Sequence, residues 1–290
     1  MMWSLATQMI GTILLRPYVF VFLLIYLIGC SLHFGFKKAL LFCFAGYLIA
    51  WLSELSSIHN GFPYGHYYYI QNTTGKEIWV LGVPLMDSIS YVFLAYASYS
   101  LSIFIIAPIC RSRRIIYVLE TKEIRNSRAA RLIGSILFVY LDIIIDPVAL
   151  RGDRWFLGQI YGYPYPGVYF GVPLSNYCGW FVTGFFMIYA FQKVDHFLGR
   201  AGMADFYGYQ YPWRYLVGPA LYSSVMIFNL SITFLIGEQM MGWVGIFIVL
   251  LPMTLIYVII RIKLSAEGTE KSINAHLRDF PHAVIPAREA

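Results

Sequence analysis

Seven apolar runs of membrane-crossing length occupy most of this chain, at about 17–36, 38–56, 84–109, 130–149, 173–197, 214–236 and 239–261. A helix needs about 20 such residues to cross the hydrocarbon core of a bilayer. With 59% hydrophobic residues, 12% charged residues and a mean hydropathy of +0.64, an ordinary soluble domain is excluded. The expected fold is all-α: a polytopic transmembrane helical bundle of about seven spans, with 1–265 as one integral membrane domain and 266–290 as a cytoplasmic C-terminal tail. Residues 1–15 read as either an interfacial segment or an extension of the first span. Arg16 is the first basic residue, so the charged start of a cleaved signal is missing and the first span is expected to persist.

Basic residues stay preferentially on the cytoplasmic side of a membrane, and their distribution here is lopsided. The 111–131 loop holds Arg111, Arg113, Arg114, Lys122, Arg125, Arg128 and Arg131. Placing it inside also places inside Lys37, Lys38, Lys193, Arg200, Arg214, Arg261, Lys263, Lys271, Arg278 and Arg288. Of 21 basic residues only Arg16, Lys76, Arg151 and Arg154 are then outside. The expected localisation is the cell membrane, N-terminus outside and C-terminus cytoplasmic. The net charge of +6 follows from this bias and from attraction to anionic membrane lipid, and is not a nucleic-acid signal.

Glu54, Asp142 and Asp146 stand within or at the ends of apolar runs. An ionisable group there costs roughly 2.5–3.5 kcal/mol at mid-span and less near an end, and is normally retained for function. These carboxylates are the primary catalytic candidates. In the expected orientation Glu54 ends an outward span, Asp87 begins the return, and Asp142 and Asp146 lie in the outer half of the next outward span. All four cluster on one side. Asp142 and Asp146, four residues apart, share a helical face, and Pro147 reads as a helix terminator. Two close carboxylates in a low dielectric cannot easily both ionise, so one is expected to hold its proton, as a general acid must. For Asp87 and Asp146 the alternative is a cap or an interfacial residue with water access.

The expected outer loops repeat a pattern. Pro84, in Gly82-Val-Pro-Leu85, follows Glu54 by 30 residues, and Pro173, in Gly171-Val-Pro-Leu174, follows Asp142 by 31. Each unit reads carboxylate helix, aromatic loop, tetrapeptide, next helix. Both hairpins run outward then inward, giving a parallel internal repeat about an axis along the membrane normal. The loops are crowded with Tyr, Gly and Pro: Gly61-Phe-Pro-Tyr-Gly-His-Tyr-Tyr-Tyr69 and Tyr161-Gly-Tyr-Pro-Tyr-Pro-Gly-Val-Tyr-Phe-Gly171. One reading is an interfacial aromatic belt. The sharper one is an aromatic-walled cavity whose rings stabilise a developing cation by about 0.5–2 kcal/mol each.

Several chemistries are disfavoured. His33, His59, His66, His196, His276 and His282 form no His-x-x-His or His-x-x-x-His pair, so the histidine cage of a membrane di-iron oxygenase is missing. A metal held by Glu54, His59 and Asp142 is a minor alternative. Cys30, Cys43, Cys110 and Cys178 are far apart, without Cys-x-x-Cys, and read as free thiols. No glycine spacing fits a phosphate loop or dinucleotide fold. An enzyme built on this chain is expected to need no metal and no cofactor.

Glu54 with Gly61–Tyr69, Gly82–Leu85, Leu141-Asp-Ile-Ile-Ile-Asp-Pro-Val-Ala149 and Tyr169-Phe-Gly-Val-Pro-Leu-Ser-Asn-Tyr-Cys-Gly-Trp180 resembles a family. It is similar to the carotenoid biosynthesis membrane proteins of bisanhydrobacterioruberin hydratase and gamma-carotene hydratase type, over about 40–265. The resemblance implies addition of water across the terminal double bond of an acyclic carotenoid end, giving a tertiary alcohol. Its partners would be a carotenoid substrate, membrane lipid and other carotenoid-pathway enzymes. The residues suit such a lyase. Asp142 or Glu54 would protonate the alkene and Asp146 would position water. Asn176, Tyr64 and Tyr67 would hold that water, Trp51 and Trp180 would line the cavity, and Asp87 and Trp155 complete the substrate-binding set. The alternatives are a proton-coupled membrane transporter and a carotenoid cyclase, in which the same cation loses a proton after ring closure.

Overall fold

The computed structural model describes residues 5–112, 115–203, 210–265 and 270–283. Arg113, Arg114 and Arg288, counted in the topology above, lie outside them, as do the start of the N-terminal segment and parts of the expected tail. The described helices are α1 (Leu5–Leu15), α2 (Pro17–Phe34), α3 (Phe36–Asn60), α4 (Leu85–Ile106), α5 (Lys122–Arg125), α6 (Arg128–Ala149), α7 (Leu174–Arg200), α8 (Arg214–Leu235), α9 (Gln239–Ser265) and α10 (Glu270–Asp279). Three two-stranded antiparallel ribbons accompany them. β1 (Tyr68–Tyr69) pairs with β6 (Tyr161–Gly162), β2 (Trp79–Val80) with β3 (Val83–Pro84), and β4 (Ile109–Ser112) with β5 (Ile115–Val118). The chain is thus an all-α bundle with short ribbons at its ends.

Six helices, α2, α3, α4, α6, α8 and α9, are long and apolar enough to cross a membrane, which makes this a multi-pass membrane protein. The expected fifth run, α7, is also long at 27 residues, but Gln192, Lys193, Asp195 and Arg200 near its C-terminal end lower its apolarity. Two of those polar groups, Gln192 and Asp195, are buried against neighbours. α4 is the central helix. Its apolar window is 78% buried, which its Ser88, Ser98, Ser100 and Ser102 permit by letting neighbours approach closely. α9 is the opposite case, only 6% buried, and its Phe247, Leu251 and Leu255 face outward as lipid-facing side chains do. α1 is a separate short helix whose Gly11 lies against the Lys76 carbonyl and whose Thr12 hydroxyl accepts from Ile78 N at 2.9 Å. Pro147 does not stop α6: it sits in the last turn, and the helix runs on to Ala149 with Leu150 N donating to Asp146 O.

The two Gly-Val-Pro-Leu segments fold alike. Leu81 and Gly82 have φ of 50° and 84°, and Phe170 and Gly171 have φ of 49° and 96°. Two successive positive φ values make the tight turn whose twist suits a hairpin. In one loop Val80 pairs with Val83, and in the other Tyr169 bridges Val172. Side-chain-bearing residues rarely adopt such φ, so the same pair at positions 89 apart marks a repeated unit rather than a shared tetrapeptide. Helix packing agrees: α3 packs on α7 as α6 packs on α4. Tyr91 and Trp180, at equivalent positions, stack on each other at 4.5 Å and 19°, so a local two-fold relation runs between them.

The end opposite the Tyr-rich loops holds a buried ionic cluster. Glu120 pairs with Arg125 and with His33 Nε2 at 3.0 Å, and Lys38 meets Asp195 at 2.8 Å. α10 closes over it: His276 Nδ1 donates to the Glu120 carbonyl at 2.6 Å, Lys122 N donates to Asp279 Oδ2 at 2.9 Å, and Arg125 lies 4.6 Å over the Phe280 ring.

Candidate active site

Glu54 lies in the last two turns of α3, where a carboxylate would meet the loop end of the bundle. Only 1% of it is exposed, and it accepts a hydrogen bond from Ser88 of α4. Asp87, one residue earlier on α4, accepts from the Tyr69 hydroxyl at 2.7 Å, and Tyr67 donates to Tyr69 at 3.3 Å. The first Tyr-rich loop therefore folds back over the acids of its own hairpin. A buried charge or polar group persists only when partnered, and here the partners come from the loop.

The second hairpin does the same with different chemistry. Asn176, in the first turn of α7, uses both protons of its amide: one goes to Asp142 Oδ2 and one to Asp146 Oδ2, each at 2.7 Å. Asp146 also accepts from Tyr161 at 2.7 Å and Tyr163 at 3.0 Å. Asp142 is fully buried, and its Oδ1 has no hydrogen-bond partner. Burial first, and the adjacent Asp146 next, hold the Tyr161 and Tyr163 hydroxyls well above the ordinary tyrosine value. Burial and then Asp87 do the same for Tyr69. All three remain protonated donors across the physiological range.

Glu54 and Asp87 of the first hairpin and Asp146 of the second face one cavity of about 100 Å³. Pairing of β1 with β6 joins the two loops across it, and Ile70 N donates to Ile160 O at 2.7 Å. Tyr67 stands at the centre of the roof, with ring centroids 6.4 Å from Tyr64, 5.3 Å from Tyr69, 6.0 Å from Tyr161 and 6.3 Å from Tyr163. The floor is the Tyr91–Trp180 stack, with Phe138 at 4.6 Å from Trp180. A volume of this size next to carboxylates and hydroxyls has room and partners for a few waters.

Of the residues singled out from sequence, Glu54, Tyr64, Tyr67, Asp87, Asp146, Trp155, Asn176 and Trp180 all line this cavity. Two stand back from it. Asp142 lies behind Asn176 and Asp146 and does not line the cavity itself. Trp51 donates its Nε1 to Val80 O at 3.1 Å and braces the β2–β3 turn, because an indole N–H in apolar surroundings needs an acceptor. His59 is exposed and bonds to Leu55 O at 2.8 Å, away from the acids. Sequence reasoning did not single out Ser88, Tyr69, Tyr91, Tyr161 or Tyr163. Tyr69, Tyr161 and Tyr163 were visible as loop composition, but only the folded loops show which hydroxyl meets which acid.

The chain's arrangement offers acids at two sides of a small aromatic chamber, a set suited to moving protons onto and off a bound apolar group. A family model described as carotenoid biosynthesis protein matches residues 9–252. Neither the curated proteins nor the solved structures give a match to the chain.

Proposed function

The chain belongs to the carotenoid biosynthesis protein family, and from that premise we propose that it is a carotenoid hydratase, adding water to the terminal carbon–carbon double bond of an acyclic carotenoid end. The observation that carries this reading is the placement of Glu54 and Asp146 on one cavity, each fixed by a separate set of donors. Protonation and water capture need two groups with different tasks at the same carbon skeleton.

In this mechanism Glu54 gives its proton to the inner alkene carbon, the π pair forms the new C–H bond, and a tertiary cation is left on the outer, dimethyl-bearing carbon. The Tyr91 and Trp180 faces stabilise that cation by about 0.5–2 kcal/mol each. Water held by Asp146 and the Tyr161 and Tyr163 hydroxyls adds to the cation as Asp146 takes a proton from it. Proton transfer through the bound water returns Glu54 to its starting form, so the net change is one water added. Asp142 acts through Asn176, whose amide fixes Asp146 in place. Cyclisation would use the same cation. Hydration is favoured by the cluster of hydroxyls and amide around Asp146, which would hold water where the cation forms. The proposed setting is the cell membrane, with the cavity at the outer face.

Expression in a host that accumulates acyclic carotenoids tests this reading. The extracted pigment should gain the mass of one water, carrying the solvent's isotope when the reaction runs in labelled water, without oxygen and with chelator present. Unchanged mass with a ring formed would replace hydratase by cyclase. Oxygen from O₂ in the product would replace both.

A further inference from the structure

The cavity is smaller than the substrate of the reaction proposed above. At about 100 Å³ it falls below the roughly 300–1,000 Å³ that encloses a drug-sized ligand. It can take an end group, and the remaining polyene must lie outside. That remainder is apolar, so it needs a way out into lipid rather than into water.

At the loop end the way is barred by the β1–β6 pairing and by tyrosine hydroxyls turned toward carboxylates. The wall toward α2 and α8 differs. Val19 and Phe22 of α2 and Val225 of α8 line the cavity there with apolar surface, and the Asn229 amide beside them spends a proton on the Val225 carbonyl at 2.9 Å. Outside them lies a ring cluster: Tyr18 stacks on Phe228 at 5.0 Å and 25°, meets Phe156 edge-on at 5.4 Å, and lies 5.9 Å from Trp155. Tyr18 and Trp155 line the cavity and are partly buried, while Phe156 beside them is 54% exposed. The cavity wall therefore becomes the surface of the bundle at this cluster. Phe22 of α2 also meets Phe228 edge-on at 5.7 Å, so the contacts that close the two helices here are between rings.

We propose that the seam between α2 and α8, closed by the Tyr18–Phe228 stack, is the lateral passage through which the polyene arm of the carotenoid leaves the cavity for the lipid. Flat ring faces on both sides of the seam suit a flat conjugated chain. The proposal rests on a carotenoid being the substrate, and it adds which helices the polyene passes between.

A benzophenone-bearing amino acid placed at position 228, or in a second chain at position 156, tests it in membranes holding an acyclic carotenoid. Both are built on Glu54→Gln so that bound substrate is not turned over, and position 227, which is 64% exposed, serves as the lipid-facing control. Illumination should attach one carotenoid at 228 or 156 at least tenfold more than at 227. Labelling no greater at 228 and 156 than at 227 in folded protein overturns the passage, as does preferential labelling from position 165 in the loop. Product analysis of the unaltered chain is a separate readout. Hydrated pigment without labelling at the seam sinks the passage alone, and seam labelling without hydrated pigment sinks the hydratase alone.

Discussion

Asn176→Leu should be among the most damaging single changes in the cavity region, because one amide serves two buried carboxylates. The substitution keeps approximate volume and removes both 2.7 Å bonds, to Asp142 Oδ2 and Asp146 Oδ2. A hydrogen bond to a charged group contributes about 1.5–3 kcal/mol and one to a neutral group about 0.5–1.5. With one acceptor of each kind the loss is about 2–4.5 kcal/mol, a large share of the roughly 5–15 kcal/mol that holds a domain folded. Asp146 keeps Tyr161 and Tyr163, whereas Asp142, whose Oδ1 is already without a partner, is left with its neighbour Asp146 alone. Most of the cost should therefore come from Asp142. Unfolding in detergent of Asn176→Leu, Asp142→Leu and the double variant measures it as a cycle. The double variant should be more stable than the sum of the singles by about 1–3 kcal/mol, the range found for directly coupled neighbours. A loss under about 1 kcal/mol for Asn176→Leu, or strict additivity, would refute the shared-amide account.

Glu54→Gln and Asp146→Asn should each lower hydrated product by at least about 100-fold while the protein stays folded and inserted, since the amides keep size but cannot carry the proton; pigment analysis of membranes with matched protein levels checks this, and full turnover by either variant removes that residue from the mechanism. A tag inserted beside Lys122 should be unreachable from outside intact cells and one beside Tyr165 reachable, and the reverse pattern would invert the proposed topology. Burial works against the charge of Glu120, but Arg125 and then His33 outweigh it and hold the carboxyl below its usual range. Its stabilisation is therefore complete above the unfolded value of about 4.3 and is lost as pH falls below that. The stability gap between the parent chain and Glu120→Gln should be widest near neutral pH and shrink in acid, and a gap that grows in acid would refute the pairing.

The helices were legible from the sequence to within a few residues because in a membrane chain hydropathy has no rival signal: the run at 130–149 is α6 at Arg128–Ala149. The acids were legible for the related reason that a carboxylate in an apolar run is costly. Their partners were not. Tyr161 and Tyr163 lie 15 and 17 residues from Asp146, and nothing local says that the loop turns back to meet it. Trp51 shows the same limit, being near Glu54 in sequence yet committed to the Val80 carbonyl. At the opposite end, Lys38 and Arg125 read only as topological charges. The fold instead buries them against Asp195 and Glu120, pairings that join residues as far apart as 157 positions.

The repeat explains why two similar hairpins can take opposite chemical parts. Position 87 and position 176 are equivalent, each in the first turn of the helix after Gly-Val-Pro-Leu. In the first hairpin that position is an aspartate, which accepts from Tyr69 beside Glu54, itself met by Ser88 and Tyr69. In the second it is an asparagine, which donates to Asp142 and Asp146 together. A carboxylate supplied with two hydroxyls and an amide proton is held in place and well solvated by protein dipoles, which suits an acceptor of protons. A carboxyl buried among rings, met by the Ser88 and Tyr69 hydroxyls and by no amide, suits a donor. Exchange of acid for amide at one repeated position thus separates the two roles while the backbone around them stays alike.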